Sequence, residues 1–140
     1  MENLVVNAGD AGTAVTVGNL GLTSIAGGKI VFNGGAGADT VDASAFGGPT
    51  ELRGGAGNDT LIGGGDDLFI FADSAGDDTI DDFVVGTDSL SLLDGLTVAS
   101  VSDTDADGDT IVDATLVTFG SGDTVTLLGL TGLIEDNLFV

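Results

Sequence analysis

An all-β chain wound as a parallel β-roll, a two-sheet β-solenoid, is the fold this sequence predicts, on three observations. Glycine is dense and proline rare, 25 residues against one in a chain of 140, and short clusters of Val, Ile, Leu and Phe recur between the glycines. Glycine and β-branched residues both oppose helix, and no 3.6-residue apolar stripe of useful length is present. The clusters are also evenly spaced: in the series Val41, Leu52, Leu61, Ile70, Ile80 and Leu90, each centre lies nine to eleven positions after the last. That suits short strands separated by turns and is too short for a helix-turn-helix repeat. Finally, the phrase glycine-glycine-alanine-glycine-x-aspartate-threonine-apolar begins at residue 34 and again at residue 54. If consecutive strands lie in two facing sheets, one coil takes about twenty residues and these phrases stack on one edge of the roll.

Charge says more about function than the strand pattern does. The chain carries 23 acidic residues and two basic ones, Lys29 and Arg53, for a formal charge of -21. Internal salt bridges cannot neutralise that, and compaction crowds like charges unless cations enter the structure. Glu2, Glu51 and Glu135 are the glutamates; the other acids are aspartates. Short carboxylates beside glycines suit tight loops and oxygen cages for hard cations. With no cysteine, disulfides and thiolate metal sites are excluded. "MENLVVNAGD" lacks the basic and continuous apolar regions of a cleaved secretory signal, and no run approaches membrane-spanning length. Export would use another signal, or a part of a longer parent chain.

One structural domain in three parts follows. Residues 1–33 read as degenerate strands and turns, a cation-poor opening portion or cap of the roll. Residues 34–93 hold the repeats. Residues 94–140 change texture: an acidic loop precedes "TLVTF-GSGD-TVTLL", two alternating runs about a Gly/Asp turn, which predicts an antiparallel hairpin capping the open end of the stack. "EDNLFV" ends the chain with acids followed by apolar residues.

Gly34 to Asp42 and Gly54 to Ile62 match a nine-residue pattern, G-G-x-G-x-D-x-U-x with U a large apolar residue. In this the chain resembles the RTX (repeats-in-toxin, haemolysin-type) family of calcium-binding repeats. The spelling has a physical reason apart from the family. Glycines allow successive carbonyl oxygens to turn inward, the aspartate adds charge, and the next apolar residue starts a strand. Calcium takes six to eight oxygens, so one loop supplies half a shell and two stacked loops complete it.

The resemblance implies several calcium ions held between loops on the same edge. One site would use Gly35, Gly37 and Asp39 with Gly54, Gly55, Ala56, Gly57 and Asp59. Asp59 would also serve the next site, whose far half aligns with "DSAGDDTI", bringing Asp73, Ala75 and Asp78. On the other edge "GGGDDLFIF" offers Gly64 and places Asp67 opposite Asp88 of "GTDSL", with Asp82 before Phe83 a further ligand. That edge departs from the pattern: Asp67 follows Asp59 one position too early for a full repeat, and Pro49 occupies the preceding loop, so it should hold fewer or irregular ions.

A separate cluster, Asp103, Asp105, Asp107 and Asp109, lies in "DTDADGDTIVDA". It copies the first half of an EF-hand loop, but position twelve is Ala114 and no helices flank it, so an EF-hand is rejected. An isolated cation site and a solvated acidic turn are both open there. Asp10, Asp94 and Asp123 read as Asx-turn residues.

Catalysis has few parts available, since His, Cys and Tyr are absent and there is one Lys; an enzyme is not expected. The leading expectation is a secreted, extracellular module that folds on binding calcium. The resemblance further implies a bacterial parent and export by a type I secretion system. The alternative is an adhesin, surface-layer or glycan-binding module with a protein or neutral-glycan partner. Two cations disfavour polyanionic sugars and, still more, nucleic acid.

Overall fold

The computed structural model describes residues 3–17 and 28–139. The part of the expected opening segment at 18–27 lies outside them. Twelve strands form in chain order: β1 Leu4–Asn7, β2 Ala14–Thr16, β3 Ile30–Ala36, β4 Thr40–Asp42, β5 Thr50–Ala56, β6 Thr60–Ile62, β7 Asp67–Phe71, β8 Asp77–Ile80, β9 Ser89–Leu92, β10 Val98–Thr104, β11 Ala114–Phe119 and β12 Thr124–Leu128. Odd and even strands sort into different sheets through β9. One sheet runs β1-β3-β5-β7-β9, all parallel; the other runs β2-β4-β6-β8 in parallel and continues through β12, β11 and β10. The fold is a parallel β-roll.

Each sheet contributes one ladder of apolar side chains to the space between them, because alternate residues of a strand face the same way. Val6, Phe32, Leu52, Phe69 and Leu90 are in register in the first sheet. Val15, Val41, Leu61, Ile80 and Leu127 face them from the second. Phe32, Leu52, Phe69, Leu90, Val41, Leu61, Ile80 and Leu127 are buried in one cluster, each Leu or Phe contributing about 1.5–3 kcal/mol relative to exposure. Two aromatic contacts, Phe69–Phe83 at 6.1 Å and Phe71–Phe119 at 5.5 Å between ring centroids, tie the last coils and the cap to this core.

One expectation needs adjusting, that of the cap. The opening segment is the opening portion of the roll: β1 and β2 pair with β3 and β4 in the same parallel sense as the later coils, as Leu4↔Ile30 and Ala14↔Thr40 show. The loop between them stacks on the first glycine-rich loop. At the other end the cap is a three-stranded antiparallel meander, β10-β11-β12, with β12 parallel to β8. The acidic stretch 105–113 is the turn joining β10 to β11. Beyond it, a single 3₁₀ turn at Glu135–Asn137 returns the chain to β9, where Phe139 bridges Leu90.

Candidate metal sites

On the edge that runs from the first sheet to the second, the loops after β1, β3, β5 and β7 lie one above another. Glycine is required where they touch. Gly57 has φ +124°, and a Cβ there would stand 2.5 Å from the carbonyl oxygen of Gly37; Gly55 and Gly76 meet the carbonyls of Gly35 and Gly57 in the same way. The carbonyls of each loop therefore crowd the bare Cα atoms of the next. A Gly57→Ala substitution should cost about 2 kcal/mol or more from backbone strain and displaced stacking. An unchanged urea midpoint in saturating calcium would contradict that.

The same stacking builds a column of carboxylates. Asp39, Asp59 and Asp78 are 1–2% exposed, and each accepts a main-chain N–H from the coil before it. Thr13 donates to Oδ1 of Asp39 at 2.6 Å, Asp39 to Oδ1 of Asp59 at 2.7 Å, and Asp59 to Oδ1 of Asp78 at 2.8 Å. The second oxygen of Asp39 accepts the Gly35 N–H at 3.0 Å. The second oxygens of Asp59 and Asp78 are buried with no hydrogen-bond partner. A buried carboxylate oxygen without a partner is costly, and such groups are rare in folded chains.

Burial raises the pKa of Asp59, an effect its hydrogen bond from Asp39 only partly offsets. It pushes Asp78 up to about 8, reinforced by the charges of Asp59, Asp123 and Asp77. Burial therefore works against the anionic form of both carboxylates. Hard-cation chemistry fits the donor set: oxygens throughout, charged groups beside neutral carbonyls. The carbonyls of Ala56 and Ala75 also accept hydrogen bonds from Gly37 (2.8 Å) and Gly57 (3.0 Å). Each has one lone pair in use and one left.

The second edge is shorter. Asp67 and Asp88 are both 4% exposed. Thr50 donates its N–H (3.0 Å) and hydroxyl (2.7 Å) to Asp67 Oδ1, and Asp67 donates its N–H to Asp88 Oδ1 at 3.0 Å. Their other oxygens accept the N–H of Gly64 at 2.9 Å and of Val84 at 2.7 Å. Asp82 accepts the Gly63 N–H at 2.9 Å. Desolvation raises the pKa of all three carboxyls. Thr50, following Pro49, stands where a third carboxylate of this column would be.

Other expected ligands separate from these columns. The coil that pairs Thr60 with Thr79 is two positions longer than the one that pairs Thr50 with Asp67, so the loop after β7 has two residues more than the loop after β5. Asp73 falls in that excess. It is exposed and lines a shallow hollow with Asp94, Thr97 and Ser121. Asp105, Asp107 and Asp109 bring carboxylate oxygens within 4.8 Å of one another, but Asp103 is drawn away to accept the Gly132 N–H at 2.8 Å. Asp105 already accepts the Gly108 (2.7 Å) and Thr110 (2.8 Å) amides, which hold its pKa low. That loop supports itself as a set of Asx turns.

Thr13 is the residue that sequence reasoning missed. A signal was available: "NAGDAGTAV" at Asn7 aligns with "NGGAGADTV" at Asn33, and the structure pairs Asn7 with Asn33.

No protein-family model and no curated protein sequence matches the chain. A solved structure does. The extracellular lipase LipA from Serratia marcescens matches with a TM-score of 0.65 and 23% identity, over 97% of this chain and 20% of the lipase chain. At that identity the shared property is the fold. This chain spans a fifth of the length of the structure it matches. Among the described residues no helix is long and apolar enough to cross a membrane.

Proposed function

We propose that this chain is a calcium-binding β-roll of the RTX kind, non-catalytic in itself, which folds when it meets extracellular calcium. The observation that carries the reading is the pair of partnerless buried oxygens on Asp59 and Asp78, set among stacked carbonyls in a chain of charge -21. Bound calcium would supply positive charge to the columns. Asp39, Asp59 and Asp78, with carbonyls of Gly35, Gly37, Gly54 and Ala56, are the groups to hold it on the first edge. Asp67, Asp88 and Asp82 are those on the second.

The chain's own residues set what calcium has to overcome. Among the described residues one ion pair forms, Lys29 with Glu51, and it lies outside both carboxylate columns. Mutual repulsion of the remaining acids opposes compaction, so ions that bind the folded form alone add their binding free energy to its stability. Extracellular calcium modules commonly bind at about 10⁻⁴ to 10⁻³ M, above cytosolic calcium. The roll would therefore stay loose inside a cell and close outside it. This supports a secreted location, as does the likeness in fold to an extracellular lipase, and it suits the type I export route that the repeat resemblance implies.

Titrating calcium into the chelated chain should raise β-type circular dichroism cooperatively, with a midpoint in about that concentration range. Magnesium at equal concentration should do much less, because it demands a tighter octahedral shell. A spectrum already fully β in excess chelator, and indifferent to calcium, would end this reading.

A further inference from the structure

The outward side of the first sheet is unlike the rest of this surface. Phe32, Leu52, Phe69 and Leu90 point into the roll, so the residues on either side of each point out. Val5, Val31, Glu51, Leu68 and Ser89 stand side by side in one outward row. A second row sets Arg53 beside Asn33, with Ile70 on the next strand. No aspartate stands in either row. Their single acid, Glu51, is paired with Lys29, while Arg53 is exposed and forms no ion pair among the described residues. Both basic residues of the chain therefore lie on a face whose other side chains are apolar or neutral, Val5 being 52% exposed. The second sheet, by contrast, turns Asp42 and Asp77 outward, since their neighbours Val41 and Asp78 are buried.

From these facts we infer that the outward side of the first sheet is a self-association surface, on which two copies of the chain pack face to face about a two-fold axis with their strands antiparallel. Charge selects the face. In a chain of -21, most approaches between two copies set carboxylates against carboxylates, which opposes association. This face does not. Charge also selects the orientation. β5 is the middle strand of the five, so a two-fold axis at its centre in the plane between the sheets lays β5 on β5. An axis along the strands would set Arg53 on Arg53 and Glu51 on Glu51. An axis across them at Leu52 instead sets Arg53 over the other copy's Glu51, twice. Each Glu51 then lies between two cations, its own Lys29 and the other copy's Arg53, and Leu68 comes over the other copy's Ile70. The surface is self-complementary, as a two-fold interface requires. Five strands about 4.8 Å apart, with about five residues each at 3.3 Å, make a face of about 24 by 16 Å. That is small for a specific interface, so the dimer is a weak one.

The test is sedimentation of the full chain in saturating calcium, where the roll is folded whatever drives its folding. Dimers should form between ~10 µM and ~1 mM, the range for so small an interface. Arg53→Glu and Glu51→Arg should each weaken self-association at least ~10-fold, because each sets like charges opposite one another at two places. An equal mixture of the two variants should associate again, since acid once more faces base in both pairs. A chain still monomeric at ~1 mM overturns the inference. So does association that either variant leaves unchanged, or that mixing does not restore. Should Glu51→Arg not fold, amide NMR shifts of the unsubstituted chain decide: dilution should move those of β3, β5 and β7 and leave those of β4 and β6 in place. Changes confined to the second sheet or to the loops overturn this surface. None of these outcomes bears on the calcium reading.

Discussion

Replacing Asp59 by Asn should move the chain's stability in opposite directions with and without calcium. In chelator the variant should be the more stable by about 1–3 kcal/mol, the scale of an uncompensated buried polar group. In calcium its folding midpoint should rise by at least ~10-fold, about 1.4 kcal/mol. The substitution separates two roles that one side chain performs. Asn keeps a carbonyl oxygen to accept the Asp39 N–H, so the 2.7 Å bond that joins the coils survives. What it removes is the charge behind Oδ2, the buried oxygen with no partner. Without a cation that charge is a pure desolvation cost, which is why burial raises the pKa of Asp59. In the proposed site it would be the charge that attracts the ion. Urea denaturation in chelator, with an excluded osmolyte added if the folded baseline is too short, gives the first quantity; a calcium titration gives the second. If the variant is less stable than the parent in chelator as well as in calcium, or needs no more calcium to fold, Asp59 acts by packing and hydrogen bonding, and its place as a ligand is lost.

How much of this could be read from the chain depends on which interactions are local. The repeat spelled at Gly34 and Gly54 carried the coil length, the stacked loops and the burial of Asp39 and Asp59, because there the sequence period equals the structural period: β3 pairs with β5 so that Gly35 meets Gly55 and Ala36 meets Ala56. Where coils differ in length the signal fades. The first coil is longer than the second, pairing Asn7 with Asn33 where the next pairs Asn33 with Arg53. Thr13 stands in its aspartate position, so the loop after β1 read only as a cation-poor opening portion or cap of the roll, with no sign that it stacks in this column. Asp73 shows the reverse error. It sits among the right neighbours in "DSAGDDTI", but the two residues added to that loop leave it in solvent. Asp103 was lost to a contact with Gly132, far along the chain, which no local motif encodes. The return of Phe139 to Leu90 is the extreme case, since the whole cap intervenes and the separation matches no repeat.

The opposite pH dependences of the empty and loaded roll form the second large effect. In chelator, lowering the pH from about 8 to about 4.5 should fold the chain; in calcium the same change should destabilise it. The carboxyl of Asp78 is raised from 3.8 to about 8 in the folded chain, and those of Asp59, Asp67, Asp82 and Asp88 are raised as well, desolvation being the first cause in every case. Between the unfolded and folded values the native chain holds more protons than the unfolded one. Stability therefore falls as pH rises through that window, at up to ~1.4 kcal/mol per pH unit for each such group. Asp42, held low by its bonds from Ser44, acts oppositely, but its contribution is lost only at or below the ordinary carboxyl range and leaves the window untouched. Calcium should reverse the slope if, as proposed, it binds the ionised carboxylates: protons would compete with it, so the loaded roll would lose ions as the same groups protonate. Circular dichroism of the two forms across that range should give curves that cross. Protons and calcium would then be alternative ways of discharging the same columns, one reached in acid and the other in salt. A chelated chain whose β content is flat, or rises with pH, would mean that Asp78 and its neighbours are not buried as carboxylates at all, and the electrostatic case for calcium-driven folding would fail at its root.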